Sequence, residues 1–364
     1  MYLGDDDLQN NLFHYATSEL SQDAFICWLL SHAMPEYEAK DPELTKCAKA
    51  FLHEFINENK FAESKCKLAD NELVVKDIRR QYAKIDIAVL LNNSKVIIIE
   101  DKTVTSDYKD KLDRYRKTIQ TQGFWGDKAE KPDFCKDESP YCVYFKTGFQ
   151  SNFKDMVDSK YHVCDRKKIL KLLKDCKSTN AIFHDFRALH EKIDEEALLF
   201  ESENVENWCF NGNYGFLDWL ITAQQSPVIL ENLDFKGYGY INNPSGGFFL
   251  AWFGSVSDRS LTVAGVETGL YIQINNKGKC YEITIRATTA KNKNDHLQVK
   301  TSLEQLLTSV PTGFSRKKPI RNGNSWAFAI YKDTFDNFEK AKEILPKAIT
   351  DYKAIRYNLS PQTT

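Results

Sequence analysis

KIDIAVLLNNSKVIIIEDK, residues 84–102, decides the fold. Two short runs rich in Ile and Val flank the turn residues NNS, the mark of two strands joined as an antiparallel hairpin. The second run, VIIIE, has four consecutive apolar residues, which suits a central strand covered on both faces. Charge enters at the end of the hairpin away from the turn: Asp86 early in the first strand, Glu100, Asp101 and Lys102 closing the second. Paired strands lie about 5 Å apart, so these groups must be neighbours in space. Glu100 and Lys102 share parity and project to one face. Asp86 joins them only if the numbers of paired residues sum to an even value, which demands an odd-length turn or a bulge.

Upstream, Leu8, Leu12 and Tyr15, then Leu20, Ala24, Cys27 and Trp28, follow helical spacing over 8–32, with a break at Thr17-Ser18 and Ser18 or Ser21 as cap. After Pro35, a second helix starts with Asp41 as N-cap and Pro42 at its first position. NELVVKDIRR reads as a strand that precedes the hairpin. Downstream come a helix over 107–121 with Leu112, Tyr115 and Ile119 on one side, the strand YCVYFKTG, a short helix within HVCDRKKILKLLKDC and a longer one over 178–199. The order is that of an α+β domain, a mixed sheet flanked by helices, over residues 1–200. From 236 to 286 the chain turns glycine- and aromatic-rich, with alternating runs and a hairpin turn in INNKGKCY. A helix at 295–308, the strand SWAFAIY and a closing helix at 335–352 complete a second α+β domain over 205–364, an accessory domain whose role the sequence does not specify, target recognition and dimerisation being the candidates.

Two carboxylates at the rim of a buried sheet repel unless something positive lies between them. A divalent cation meets that need, because Mg²⁺ is held by one or two carboxylates plus substrate phosphate. Such an ion polarises a phosphodiester and lowers the pKa of its bound water, and Lys102 would orient that water or stabilise the developing charge. The competing reading of the same residues makes Asp86 and Glu100 strand-end charges paired with Lys84 and Lys102.

The arrangement resembles the PD-(D/E)xK nuclease superfamily, of restriction-endonuclease-like fold. Asp86 of IDIAVLL, a turn, and Glu100-Asp101-Lys102 as the ExK element carry the resemblance, over roughly residues 8–200. Ile85 stands where the proline of the motif would be. Glu19 of SELSQDAFICWLL lies where a group of these nucleases places a supporting metal ligand. In DYKDKLDRYRK, Tyr115 matches that group's helix, but Lys111 replaces its Gln. The resemblance implies Mg²⁺-dependent cleavage of DNA, with Mn²⁺ able to substitute and RNA not excluded. Cleaving both strands of a duplex would call for two active sites, hence a homodimer. The alternative is an inactive nuclease-fold module that binds nucleic acid or protein.

Two basic stretches are candidates for phosphate contact: Arg79, Arg80 and Lys84 before the catalytic strand, and Arg316, Lys317, Lys318 and Arg321 in a loop beside Trp326. His14, His32 and His53 have no partner at ligand spacing, and no GxSxG, HExxH or phosphate-loop sequence is present. The nine cysteines form no CxxC pair and read as reduced thiols, which with an acidic N-terminus and no apolar run of membrane-spanning length points to the cytoplasm. A net charge of −2 excludes a protein coated with positive charge for nucleic acid, but not a local basic groove.

Overall fold

The computed structural model describes residues 10–61, 67–92, 94–104, 109–124, 139–224, 235–244, 246–254, 261–289, 293–318 and 325–359. The first helical stretch breaks at Thr17-Ser18, as its spacing predicts, into α1 (Leu12–Tyr15) and α2 (Glu19–Ser31), and the Ser18 side chain caps the second by accepting from the Ser21 amide. Leu8, the expected start of that stretch, lies outside the described residues. α3 (Pro35–Glu38) leads to α4 (Pro42–Ile56), whose N-cap Asp41 accepts from the Leu44 amide at 3.0 Å. Strands β1 (Val75–Tyr82), β2 (Ile85–Leu91) and β3 (Val96–Lys102) follow. Then come α5 (Lys109–Gln122), β4 (Tyr141–Lys146), α6 (Lys154–Asp158), β5 (His162–Cys164), α7 (Arg166–Asp175) and α8 (Ala181–Leu198). The chain divides into two units, Met1–Ile193 and Asp194–Thr364, and the division falls inside α8.

The sheet of the first unit runs β1-β2-β3-β4-β5, antiparallel across the first three strands and parallel across the last three. Antiparallel neighbours need only short turns, whereas the parallel step from β3 to β4 needs a crossover, supplied by α5. The β1–β2 turn consists of Ala83 and Lys84 alone, both with positive φ, the geometry of a two-residue hairpin loop that ordinarily selects Asn and Gly. Those residue types gave no turn signal, and the sequence-based strand 71–80 accordingly differs from β1 at both ends.

Every residue of β3 is buried, because helices cover both faces of the sheet at its centre. Ile97 and Ile99 join Ile87 and Val89 against α2 and α4. Val96 and Ile98 join Ala88 and Leu90 against Leu112, Tyr115 and Ile119 of α5. Each fully buried Ile contributes about 2–3 kcal/mol, so this alternation fixes the register of β3: a slip by one residue would reverse both faces.

The second unit is α+β as well. α9 (Phe210–Gln224) precedes β6 (Phe235–Ile241), β7 (Phe248–Phe253), β8 (Leu261–Val263), β9 (Val266–Asn276) and β10 (Tyr281–Thr288). α10 (Lys293–Ser309), β11 (Phe314–Arg316), β12 (Ser325–Tyr331) and α11 (Phe338–Tyr357) complete it. An antiparallel sheet of order β11-β12-β10-β9-β7-β6, with β8 on β9, packs an aromatic cluster in which Tyr281 stacks on Phe335 at 5.3 Å. The turn in INNKGKCY forms as expected, closed by the Lys277 amide on the Cys280 carbonyl, with Gly278 at φ +88°. Among the described residues all seven cysteines are free, and no helix is long and apolar enough to cross a membrane.

Candidate metal centre

The hairpin register settles the facing of the charged groups. Leu90 pairs with Val96 and Ile87 with Ile99, so the paired numbers sum to an even value and Asp86 falls opposite Glu100. The odd-length turn that this requires is closed by the Leu91 amide on the Lys95 carbonyl at 2.9 Å, with Ser94 at positive φ. Asp86 and Glu100 therefore continue the Ala88–Leu90 and Val96–Ile98 face, beneath α5. Lys102, two residues on from Glu100, continues the same row.

Three carboxylates from three elements gather on one ammonium. Lys102 Nζ lies 2.7 Å from Glu100 Oε1, 3.2 Å from Asp86 Oδ2 and 3.7 Å from Glu19 Oε2. The Asp101 amide donates to Asp86 Oδ2 at 3.0 Å, and the Thr103 amide donates to Glu19 Oε1 at 3.3 Å. Glu19 is the first residue of α2, so the helix start is set against the end of β3 through that second contact. Burial works against the charge on Lys102, but Glu100, Asp86 and Glu19 outweigh it and raise its pKa. The three carboxylates thus favour the ammonium form of Lys102. Lys111 of α5 reaches the same Glu100 oxygen at 2.7 Å.

Across the sheet, a second polar layer lies under α2. Asp101 has the opposite parity to Glu100 and meets Gln22, which also accepts from the Thr147 hydroxyl at 2.7 Å. Asp23 accepts from Gln81 at 3.1 Å, and Gln81 also donates to Asp86 at 3.4 Å. Burial first, and the charge of Asp86 second, push the Asp23 carboxyl up to about 6; burial likewise raises Asp101 well above the usual carboxylate range. Sequence reasoning missed this layer. Its signal was Glu19, Gln22 and Asp23 at i, i+3 and i+4, a polar stripe on an otherwise apolar helix.

The side chains gathered here offer oxygen donors only. Three separate carboxylates already surround one positive group, and oxygen ligands of this kind are what Mg²⁺ takes. Among the described residues no three His, Cys, Asp or Glu side chains are already gathered as a metal site. A cation would enter by taking over carboxylate oxygens that the two lysines now occupy. Among the described residues, the three carboxylates Asp86, Glu100 and Glu19 face the two ammonium groups of Lys102 and Lys111.

The other predicted contact residues scatter. Arg80 and Lys84 are exposed. Arg79 is half-buried, donates to the Phe124 carbonyl at 3.2 Å, lies 4.9 Å from the Phe124 ring and pairs with Asp77 at 3.8 Å. Tyr115 is buried in the core under α5, with Lys111 Nζ 5.4 Å from its ring. In the second unit Arg316 belongs to β11 rather than to a loop and pairs with Glu304 at 2.8 Å. Lys317 pairs with Glu282 at 2.9 Å, Lys318 is exposed, Trp326 is buried, and Arg321 lies outside the described residues.

A family model described as the PD-(D/E)XK nuclease superfamily matches residues 10–201. No curated protein and no solved structure matches the chain significantly.

Proposed function

We propose that this chain, which belongs to the PD-(D/E)XK nuclease superfamily, is a metal-dependent deoxyribonuclease whose catalytic residues are Asp86, Glu100 and Lys102. The observation that carries the reading is the gathering of Glu19, Asp86 and Glu100 around Lys102 at the buried end of β3. Asp86 and Glu100 would hold Mg²⁺, with Mn²⁺ as a substitute and Glu19 as a supporting ligand. The ion would polarise the phosphodiester and supply a water of lowered pKa. Lys102 would orient the attacking water or stabilise the charge that develops on the phosphate. The Asp101 amide fixes Asp86, and the Thr103 amide fixes Glu19, so both ligands are oriented before substrate arrives.

Arg80 and Lys84 on the first hairpin, and Lys111 and Arg114 along α5, supply positive charge for the DNA backbone. The second unit would recognise the target or pair two copies, and Arg316, Lys317, Lys318 and Arg321 belong to that role. The compartment is the cytoplasm, where free thiols persist.

A second reading has one observation in its favour. Two lysines already bond to Glu100, so the centre is nearly neutralised by its own side chains and could serve as a binding module without metal. Cleavage decides between them. Purified protein with Mg²⁺ or Mn²⁺ should cut DNA, and Lys102→Ala should abolish cutting while circular dichroism stays native. Activity that survives the substitution refutes the assignment, and a wild-type protein that neither binds Mn²⁺ nor cuts favours the module.

A further inference from the structure

We infer that Lys111 is a transferable ligand: it holds Glu100 in the free protein, yields that carboxylate to an entering divalent cation, and passes to a substrate phosphate. Metal and nucleic acid would then bind cooperatively. The inference rests on the reading of Asp86 and Glu100 as the metal ligands.

Glu100 Oε1 accepts from two ammonium groups, Lys102 and Lys111, each at 2.7 Å, and its side chain is 1% exposed. A dication that took that oxygen would bring a third positive centre into the same space. One lysine has to leave. Lys102 is the poorer candidate, since its side chain is 7% exposed and it also meets Asp86 and Glu19. Lys111 is 21% exposed and is carried by a surface helix. Its stem is long and flexible, while the helix itself is held in the core by Leu112 and Tyr115. Arg114 and Thr118 extend the same helical stripe at i+3 and i+7, so the direction in which Lys111 turns already carries a donor for a second phosphate.

Charge explains why the two ligands would favour each other. Among the described residues, the five side chains Lys102, Lys111, Glu19, Asp86 and Glu100 sum to one negative charge. A dication alone overshoots to positive and repels Lys111. A phosphodiester that arrives with it restores neutrality and gives Lys111 an anion to replace Glu100. A side chain without charge at position 111 would remove the competitor for Glu100 and the reason for the coupling together.

The test uses the full chain and its variants Lys111→Gln and Glu100→Gln, with Mn²⁺ titrated calorimetrically in the absence of DNA. Lys111→Gln should bind Mn²⁺ at least about fivefold tighter than wild type, the lower end of ordinary coupling between two ligands. In a second measurement, a fluorescent DNA duplex is bound with and without Ca²⁺, and the gain in affinity from Ca²⁺ should shrink in Lys111→Gln. Unchanged or weaker Mn²⁺ binding in Lys111→Gln, with wild-type binding lost in Glu100→Gln, overturns the role of Lys111 and leaves the metal centre standing. Mn²⁺ binding that is absent from wild type and Lys111→Gln, or is undisturbed by Glu100→Gln, overturns the metal centre itself and the inference with it.

Discussion

Asp23→Asn should stabilise the protein above neutral pH far more than at pH 4. In the native protein burial, and then the nearby charge of Asp86, raise the Asp23 carboxyl from 3.8 to about 6, against the opposing pull of Gln81, Lys102 and Arg80. A carboxyl whose folded pKa lies above its unfolded one binds its proton more tightly in the native state. Between these two pKa values the folded protein holds more protons than the unfolded chain, so stability falls as pH rises through the window and stays lowered above it. A shift of that size is worth about 3 kcal/mol. The substituted amide keeps the acceptor for Gln81 and carries no charge at any pH. Its N–H would lack a partner at both pH values, so that cost cancels in the comparison. The stabilising effect of the substitution should therefore grow by about 2–3 kcal/mol between pH 4 and pH 8. Urea-dependent hydrogen exchange of the β2 and β3 amides would read it, because it reports unfolding of this unit alone. An effect equal at the two pH values would refute the argument. A divalent cation bound at Asp86 should narrow the difference, since it removes the second cause of the shift.

Two more predictions test the frame around the centre. Glu54 accepts from His162 at 2.8 Å and pairs with Lys168 at 2.9 Å; the His162 hydrogen bond leads in holding its carboxyl down to about 2, against the effect of burial. The folded pKa is depressed, so this contribution is complete above 4.5 and is lost as pH falls toward 2. Glu54→Gln should cost about 1–3 kcal/mol at pH 7 in urea unfolding, and a cost that does not shrink below pH 4.5 would contradict it. A Cβ at Gly148 would stand 1.9 Å from the Thr103 carbonyl oxygen, which also accepts from Lys146 at 2.9 Å. Gly148→Ala should shift Thr103 and, through its amide, Glu19, lowering kcat/KM by about 10²-fold, and undiminished cleavage would show that Glu19 needs no such positioning.

The sequence by itself determined the hairpin, the parity of Glu100 and Lys102, and the condition on which Asp86 could join them. All three follow from local periodicity: strands alternate by two, and the run VIIIE admits burial on both sides. It also determined the break before α2 and the Asp41 cap, which depend on residues a few positions apart. The tertiary structure alone decided which positive charges meet Glu100. Lys111 and Arg79 carry the same kind of charge in sequence, yet α5 packs on the face of β3 that presents Glu100, whereas Arg79 meets Phe124 and pairs with Asp77. The layer of Gln22, Asp23 and Asp101 was likewise beyond local reading, because it exists only where α2 crosses the opposite face of β3. Periodicity states which way a side chain points; only the packing of distant elements supplies the partner it meets there.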